Sequence, residues 1–136
     1  MLRIRRKLYF EHFHKHVDSL QKHINEEDYI QAAEKVWGAL SSFVNAFNTQ
    51  EVKGARNKKE SFETWFHRLA IKKTSLRKIL KDNDFKNAWD FATVAEGLHK
   101  YFFGAKDYNK EFLRKCLIGC NNVLREMRRV LIQEMK

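Results

Sequence analysis

Proline is absent from this sequence of 136 residues, and glycine occurs only five times. Average usage would place about seven prolines in a chain of this length. Because proline removes a backbone donor and breaks helix interiors, a chain without it can run in long uninterrupted helices. The sequence therefore predicts an all-α fold, and its length predicts a single domain over residues 1–136.

The composition favours a packed core, since 43% of the residues are hydrophobic and 13% are aromatic. No apolar run reaches the ~18 residues that a membrane span needs, so we expect no membrane association. The stretch MLRIRRKLYFEHFHKH is interrupted by charge before a signal-type apolar segment forms. Cys116 and Cys120 are predicted as small buried thiols of one helix and not as a disulfide framework, so we expect a cytoplasmic protein.

Apolar residues recur at helical spacing along most of the chain, which predicts about five main helices. The most regular stripe consists of Tyr29, Ala33, Val36, Trp37, Leu40, Phe43, Val44 and Phe47. Similar patterns cover residues 2–24, 85–103 and 107–135, and shorter ones begin at Ser61 and at Thr74 or Ser75. Residues 48–60, NTQEVKGARNKKE, lose the periodicity and are predicted to form a long basic loop. The tryptophans Trp37, Trp65 and Trp89 are predicted to anchor the core or an interface.

Capping residues mark where these helices begin and end. Asp28 is predicted to cap the second helix, with Gln31 at the capping-box position, and Asp84 and Asp107 to cap the two late helices. Gly104 is placed to end a helix in the left-handed conformation. Three other glycines, Gly38, Gly97 and Gly119, fall inside helices, where each costs about 1 kcal/mol relative to alanine. A close approach of neighbouring backbones would explain them.

The formal net charge is +10, which predicts long-range attraction to polyanions. The cations form four patches: Arg3, Arg5, Arg6 and Lys7; Lys53, Arg56, Lys58 and Lys59; Lys72, Lys73, Arg77, Lys78 and Lys81; and Arg125, Arg128 and Arg129. Solvated surface is one interpretation of these patches. The other is an RNA- or nucleotide-binding surface, for which we select Lys53, Arg56, Lys58, Lys59, Lys72, Lys73, Arg77 and Lys78.

His99 lies in an apolar run, GLHKYFFG, at the centre of the apolar face of its helix. On burial its ring nitrogens need partners, since an unsatisfied one costs ~1–3 kcal/mol. Glu34 and Tyr29 are the candidate partners from the second helix. The ring is either a structural link between two helices, or a base or ligand in a cleft that Glu34 orients.

His12 and His16, in HFHKH, are one helical turn apart, with His23 near the same face. Histidines at that spacing can hold zinc, but a structural site needs four ligands, and no cysteine or carboxylate stands at a useful spacing. A histidine stripe at the edge of the core, exposed or at a dimer contact, is the favoured interpretation. No glycine-rich phosphate loop follows a strand. We therefore expect no metal and no cofactor.

Two segments resemble motifs of one family. EEDYIQAAEKVWGALSSFVNAF, residues 26–47, is similar to the first long helical motif of the archaeal PaREP family (type one). AWDFATVAEGLHKYFFGAKDYNKEFLRKCLIGCNNVLREMRRVL, residues 88–131, is similar to the second. The similarity covers about residues 15–133, and its most specific piece is Ala33-Glu34-Lys35 with Trp37-Gly38-Ala39. Tyr101-Phe102-Phe103 stands where the family more often has a polar residue before Phe-Tyr.

This resemblance implies a helical bundle like those of the HEPN superfamily, whose members include ribonucleases, toxin components and partners of nucleotidyltransferases, and are commonly dimeric. The HEPN catalytic signature is an arginine and a histidine with four to six residues between them, near the start of a late helix. Residues 107–135 contain no histidine, and the pairs with this spacing, Arg6 or Arg5 with His12, lie on the first helix. Fold-level analogy is a poor warrant for chemistry.

We therefore expect a homodimeric module that binds RNA, a nucleotide or a toxin–antitoxin protein partner without catalysis. The competing hypotheses are a metal-independent ribonuclease using Arg6 and His12, with His99 and Glu34 as further weak catalytic candidates, and a purely structural dimerisation module.

Overall fold

The computed structural model describes residues 2–48, 66 and 74–131. In those residues the chain forms five α-helices and no strand, which confirms the all-α prediction. The helices are α1 (Leu2–Asn25), α2 (Tyr29–Asn48), α3 (Thr74–Asp82), α4 (Ala88–Phe102) and α5 (Lys110–Leu131). Nearly all of the predicted basic loop, and all but Phe66 of the helical pattern that begins at Ser61, lie outside the described residues.

Helix α2 is central, because it packs against α1, α4 and α5. Its predicted stripe is confirmed over the described side chains: Ala33, Val36, Leu40 and Phe43 are at most 1% exposed, and Trp37 packs partly buried against the same core. Helix α3 packs on α4 and α5. No helix in the part of the chain just delimited is long and apolar enough to cross a membrane.

Aromatic pairs join the helices inside the core. The ring centroids of Phe13 on α1 and Phe43 on α2 are 5.4 Å apart. Phe66 is fully buried, with its centroid 5.9 Å from that of Phe91 on α4. Each such burial stabilises the fold by roughly 1.5–3 kcal/mol. Trp89 is 45% exposed, so it does not anchor the core, and the alternative of an interface anchor stays a prediction. It occupies the outward side of α4, next to the buried Ala88.

Three helices end in the same way, with one residue in the left-handed conformation. After α4 this residue is Gly104 (φ 78°), as predicted; the Ala105 N–H donates to the Lys100 carbonyl (2.9 Å) and the Gly104 N–H to the Tyr101 carbonyl (3.0 Å). These two bonds satisfy carbonyls that the helix end leaves open. Glu27 after α1 (φ 59°) and Asp84 after α3 (φ 67°) occupy the equivalent position.

Asp84 is therefore not a helix cap, and this prediction is wrong. A residue in the left-handed region terminates α3, whereas a cap requires extended backbone. Asn87 has that backbone (φ −164°, ψ 179°), and its side chain accepts from the Asp90 N–H, so α4 begins only at Ala88. Asp107 is also wrong as a cap. Asn109, directly before α5, accepts from the N–H groups of Glu111 and Phe112 at 3.0 and 3.2 Å.

Asp28 caps α2 as predicted, since its Oδ1 accepts from the Gln31 N–H at 3.3 Å. The predicted capping box would use the Asp28 N–H as a donor to the Gln31 side chain. That N–H instead donates to the His23 carbonyl at 2.9 Å, as part of the turn that ends α1. One residue thus serves the end of one helix and the start of the next.

Candidate functional site

His99 on α4 and Glu34 on α2 form a hydrogen-bonded pair. His99 Nδ1 lies 3.2 Å from Glu34 Oε2, and the two side chains are 31% and 29% exposed. The contact predicted from the sequence is confirmed, with Glu34 rather than Tyr29 as the partner. Because a carboxylate oxygen accepts, the pair favours the proton on Nδ1 and directs the lone pair of the ring to Nε2.

Two aromatic rings hold the imidazole of His99. The indole of Trp37 stacks on it, with centroids 4.8 Å apart and planes at 22°. Phe103 meets it edge-on, with centroids 4.9 Å apart at 85°. These contacts and the hydrogen bond fix the orientation of the ring between α2 and the end of α4. The arrangement suits a structural link, and it also resembles how an acid–base histidine is oriented.

His16 from α1 adds a second imidazole beside Glu34. Its ring lies over Gly38, and a Cβ at that glycine would come within 2.8 Å of His16 Cε1. Burial, followed by the positive charge of Lys35 and the neighbouring His12, lowers the pKa of His16, and Glu34 partly opposes this effect. Glycine at position 38 therefore admits a side chain, not the neighbouring backbone that the sequence suggested.

The other candidates from the histidine stripe do not join this pair in the described coordinates. His12 is exposed on α1, and the side chain of Arg6 lies outside the described set. Among the side chains that can be placed, no group of three or more His, Cys, Asp or Glu is arranged to hold a metal ion. The charges of His12 and Glu34 both act on the pKa of His16, in opposite directions.

Two helices that pack on each other, α3 and α5, carry a set of exposed basic residues. Its residues, here called the basic face, are Arg77, Lys78 and Lys81 on α3 and Arg125 and Arg129 on α5. Asn83 ties the two helices together, because its Nδ2 donates to the Ile79 carbonyl (2.9 Å) and to Glu126 Oε2 (3.3 Å). The predicted binding residues Lys53, Arg56, Lys58, Lys59, Lys72 and Lys73 lie outside the described residues.

The α5 end of the basic face is held by α1. Arg128 Nη1 donates to Asp18 Oδ1 at 2.6 Å, and Arg125 Nη1 donates to Gln21 Oε1 at 3.1 Å. Together with Glu126 and Arg129, these arginines line a pocket of about 300 Å³. Sequence reasoning marked the α5 cations as a patch but did not select them. Their proximity to α3 depends on helix packing, which periodicity along one helix does not report.

The family model of the archaeal PaREP1/PaREP8 family matches residues 8–115. The chain belongs to this family. Comparisons with curated proteins and with solved structures gave no match. The PaREP match includes the pair Glu34 and His99 and the α3 part of the basic face, and it ends before Arg125 and Arg129.

A second pocket, of about 320 Å³, lies wholly within the range of the PaREP match. The turn between α1 and α2, the end of α4 and the start of α5 form it, through residues that include Glu27, Asp28, Tyr101, Tyr108 and Lys110. Sequence reasoning did not find it, because its walls come from three separate segments. His99 lines neither this pocket nor the one on α5.

Proposed function

We propose that this PaREP protein binds single-stranded RNA without cleaving it, through the basic face and the basic residues that precede α3 in the sequence. The observation that carries the proposal is the exposure of five cations on two packed helices in a chain of net charge +10. Lysine and arginine on one face attract a phosphate backbone by releasing its counterions.

The pairing of Asp18 and Glu126 supports the proposal. Asp18 is paired with Arg128, and Glu126 accepts from Asn83, so both acids already have polar partners within the protein. Lys78, Lys81 and Arg129 have exposed side chains on the face itself. A backbone phosphate that approaches these residues meets three cations, with the exposed carboxylate of Asp82 next to Lys81 in the sequence.

The experiment compares two double variants that remove the same charge. Lys78→Gln with Lys81→Gln changes the basic face. Lys100→Gln with Lys115→Gln changes two exposed lysines elsewhere, which pair with Glu96 and Glu111 on their own helices. We expect the first double variant to weaken binding of a fluorescein-labelled single-stranded RNA clearly more than the second at about 0.1 M salt. Equal losses would show that only net charge matters and would refute the basic face.

The segment outside the described residues enters the same proposal. Replacing Lys53, Arg56, Lys58 and Lys59 by alanine should weaken RNA binding and flatten its dependence on salt. Each phosphate contact that is lost reduces the number of counterions that binding releases from the RNA. Binding that is unchanged at several salt concentrations would remove this segment from the RNA surface.

The resemblance to HEPN-like bundles also supports two neighbouring proposals, a cytoplasmic homodimer and a protein partner of the toxin–antitoxin kind. A protein that binds no RNA near physiological salt would favour these, or a purely structural dimer. The ribonuclease alternative uses Arg6 and His12. An RNA cleavage assay that compares the unmodified protein with His12→Ala tests this alternative. Equal cleavage by the two proteins, or no cleavage by either, would end the nuclease hypothesis.

A further inference from the structure

Large exposed apolar side chains concentrate at one end of the bundle, where the turn between α1 and α2, the end of α4 and the start of α5 meet. Of the five exposed large hydrophobic residues in the described chain, three lie there: Ile30 is 51% exposed, Phe103 68% and Phe112 56%. Removing apolar surface from water is favourable, so several such side chains in one place indicate a contact with another molecule.

Ile30 and Phe103 reach this end because α2 and α4 run in opposite directions. Glu34 on α2 contacts His99 on α4, and Ile30, one turn earlier on α2, lines a pocket with Tyr101, near the end of α4. The start of α2 therefore lies beside the end of α4. Phe103 is one turn beyond His99 and touches its ring, so Ile30 and Phe103 extend the same two helix faces in the same direction.

Tyrosine rings connect Phe112 to this surface. Tyr108 lines the pocket with Tyr101, whose ring it meets edge-on with centroids 5.6 Å apart, and Phe112 stacks on Tyr108 at 5.9 Å. The Tyr108 hydroxyl lies against Gly97, where a Cβ would come within 2.5 Å of it, so the glycine admits this placement of the ring. The apolar end, as we call this group, consists of Ile30, Tyr101, Phe103, Tyr108 and Phe112.

Charged side chains of opposite sign flank the apolar end. The exposed ones are Glu26, Glu27 and Asp28 on the turn between α1 and α2, and Lys106, Asp107 and Lys110 around the start of α5. Glu27 and Lys110 line the same pocket, and Lys106 Nζ lies 5.1 Å from the Tyr108 centroid. Among the side chains that the structure places, no ion pair joins an acid of the turn to either lysine. The turn is thus acidic, and the segment around the start of α5 has a net positive charge.

A surface with an acidic side, an apolar centre and a basic side is complementary to a second copy of itself turned by 180°. Each acidic turn then meets the lysines of the other copy, and the apolar side chains meet at the axis. We infer that two copies of this chain associate through the apolar end, with Glu27 of each copy facing Lys110 of the other. Arg125 of the basic face lies about 20 Å further along α5 than Phe112, so this interface holds or fails independently of RNA binding.

Sedimentation equilibrium of the full chain measures the association, for which we expect a dimer that dissociates on dilution. Phe103→Ser and Phe112→Ser should each raise the dimer dissociation constant at least about tenfold, because each change removes an aromatic contact twice from a two-fold interface. Leu8→Ser removes a side chain of similar exposure, 49%, from the other end of α1 and should leave the constant unchanged. Circular dichroism checks that each variant is folded.

Charge reversal distinguishes a second copy from any other occupant. Glu27→Lys and Lys110→Glu should each weaken self-association, because like charges then face each other twice. An equimolar mixture of these two variants should recover the dimer, since the reversed side chains face each other and the unmodified ones do so as well. Glu11→Lys and Lys15→Glu, exposed on α1, are the matched controls and should each dimerise like the unmodified protein.

Three results would overturn the inference. The first is an unmodified protein that stays monomeric at the highest concentration reached, which would leave the apolar end to a different partner. The second is a dimer that both serine variants leave intact. The third is a mixture of the two charge-reversal variants that stays monomeric.

Discussion

Replacing Gly38 by alanine places a methyl group where the ring of His16 already lies. The added Cβ would lie 2.8 Å from Cε1, 2.9 Å from Nε2 and 3.0 Å from Nδ1 of His16. Non-bonded carbons in contact are normally about 3.5–4.0 Å apart, so the ring or one of the helices must move by about half an ångström or more. The ring is only partly exposed between α1 and α2, which limits that movement.

The magnitude follows from two opposing effects. Alanine is more favourable than glycine inside a helix by about 1 kcal/mol. Forcing an extra methyl into a packed contact costs about 1–3 kcal/mol. We therefore expect Gly38→Ala to lower the free energy of unfolding by about 1 kcal/mol. Gly119 on α5 is the matched control, since a Cβ there meets nothing within 4 Å. Gly119→Ala should raise the free energy of unfolding by about 1 kcal/mol.

Urea unfolding followed by circular dichroism measures both variants, with the m-value as a check that the unfolding transition is unchanged. His16→Ala supplies the second half of a double-mutant cycle: in that background Gly38→Ala should become stabilising. If Gly38→Ala is as stabilising as Gly119→Ala with His16 intact, the ring does not lie over Gly38 and the packing of α1 on α2 is wrong.

Three further predictions concern helix ends, pH and thiols. Gly104→Ala should lower the free energy of unfolding by about 1 kcal/mol because residue 104 has a positive φ. Asp84→Gly, at the same position after α3, should not lower it in the same urea assay. A stabilising Gly104→Ala would contradict the left-handed helix end. Burial lowers the pKa of folded His16, so the stability that its neutral ring contributes is present above about pH 6.5 and is lost as the pH falls through the lowered folded value. His16→Gln should therefore flatten the loss of unfolding free energy between pH 7.5 and 5.5. An unchanged pH profile in this variant would contradict the prediction. Burial raises the pKa of both thiols and encloses Cys120 fully, so Ellman's reagent should modify Cys116 first and Cys120 only on unfolding. In the Cys116→Ser variant the remaining thiol is Cys120 and should react slowly. Fast modification in that variant would refute the burial of Cys120.

The helix faces could be predicted from the sequence because burial follows the helical period. Phe13, Val17 and Leu20 on α1 and Leu113, Leu117 and Cys120 on α5 are buried at the predicted spacing. The boundaries of the helices were predicted less accurately than their faces. Asp84 and Asp107 have the side chains of caps, but the neighbouring Asn87 and Asn109 perform that role. For Asp84 and Asn87 the backbone conformation decided between the two residues, and composition does not encode it.

The candidate site shows the same division. Glu34 could be named from the sequence as a partner of His99, because a histidine on an apolar face needs a polar partner and the family resemblance singled out the two segments that carry these residues. The contact of His16 with Gly38 was missed, although the glycine itself signalled a close approach. The pocket at Glu27 and Tyr108 had no such signal, since it exists only where three segments meet.

The most direct test of RNA binding is the dependence of affinity on salt for the unmodified protein and a single-stranded RNA. Each phosphate contact contributes about 0.7 to the slope of log K against log salt on a single strand. Contacts from at least three of the five cations of the basic face predict a slope of about −2 or steeper. A slope near zero, or no binding at 50 mM salt, would contradict RNA recognition by this surface.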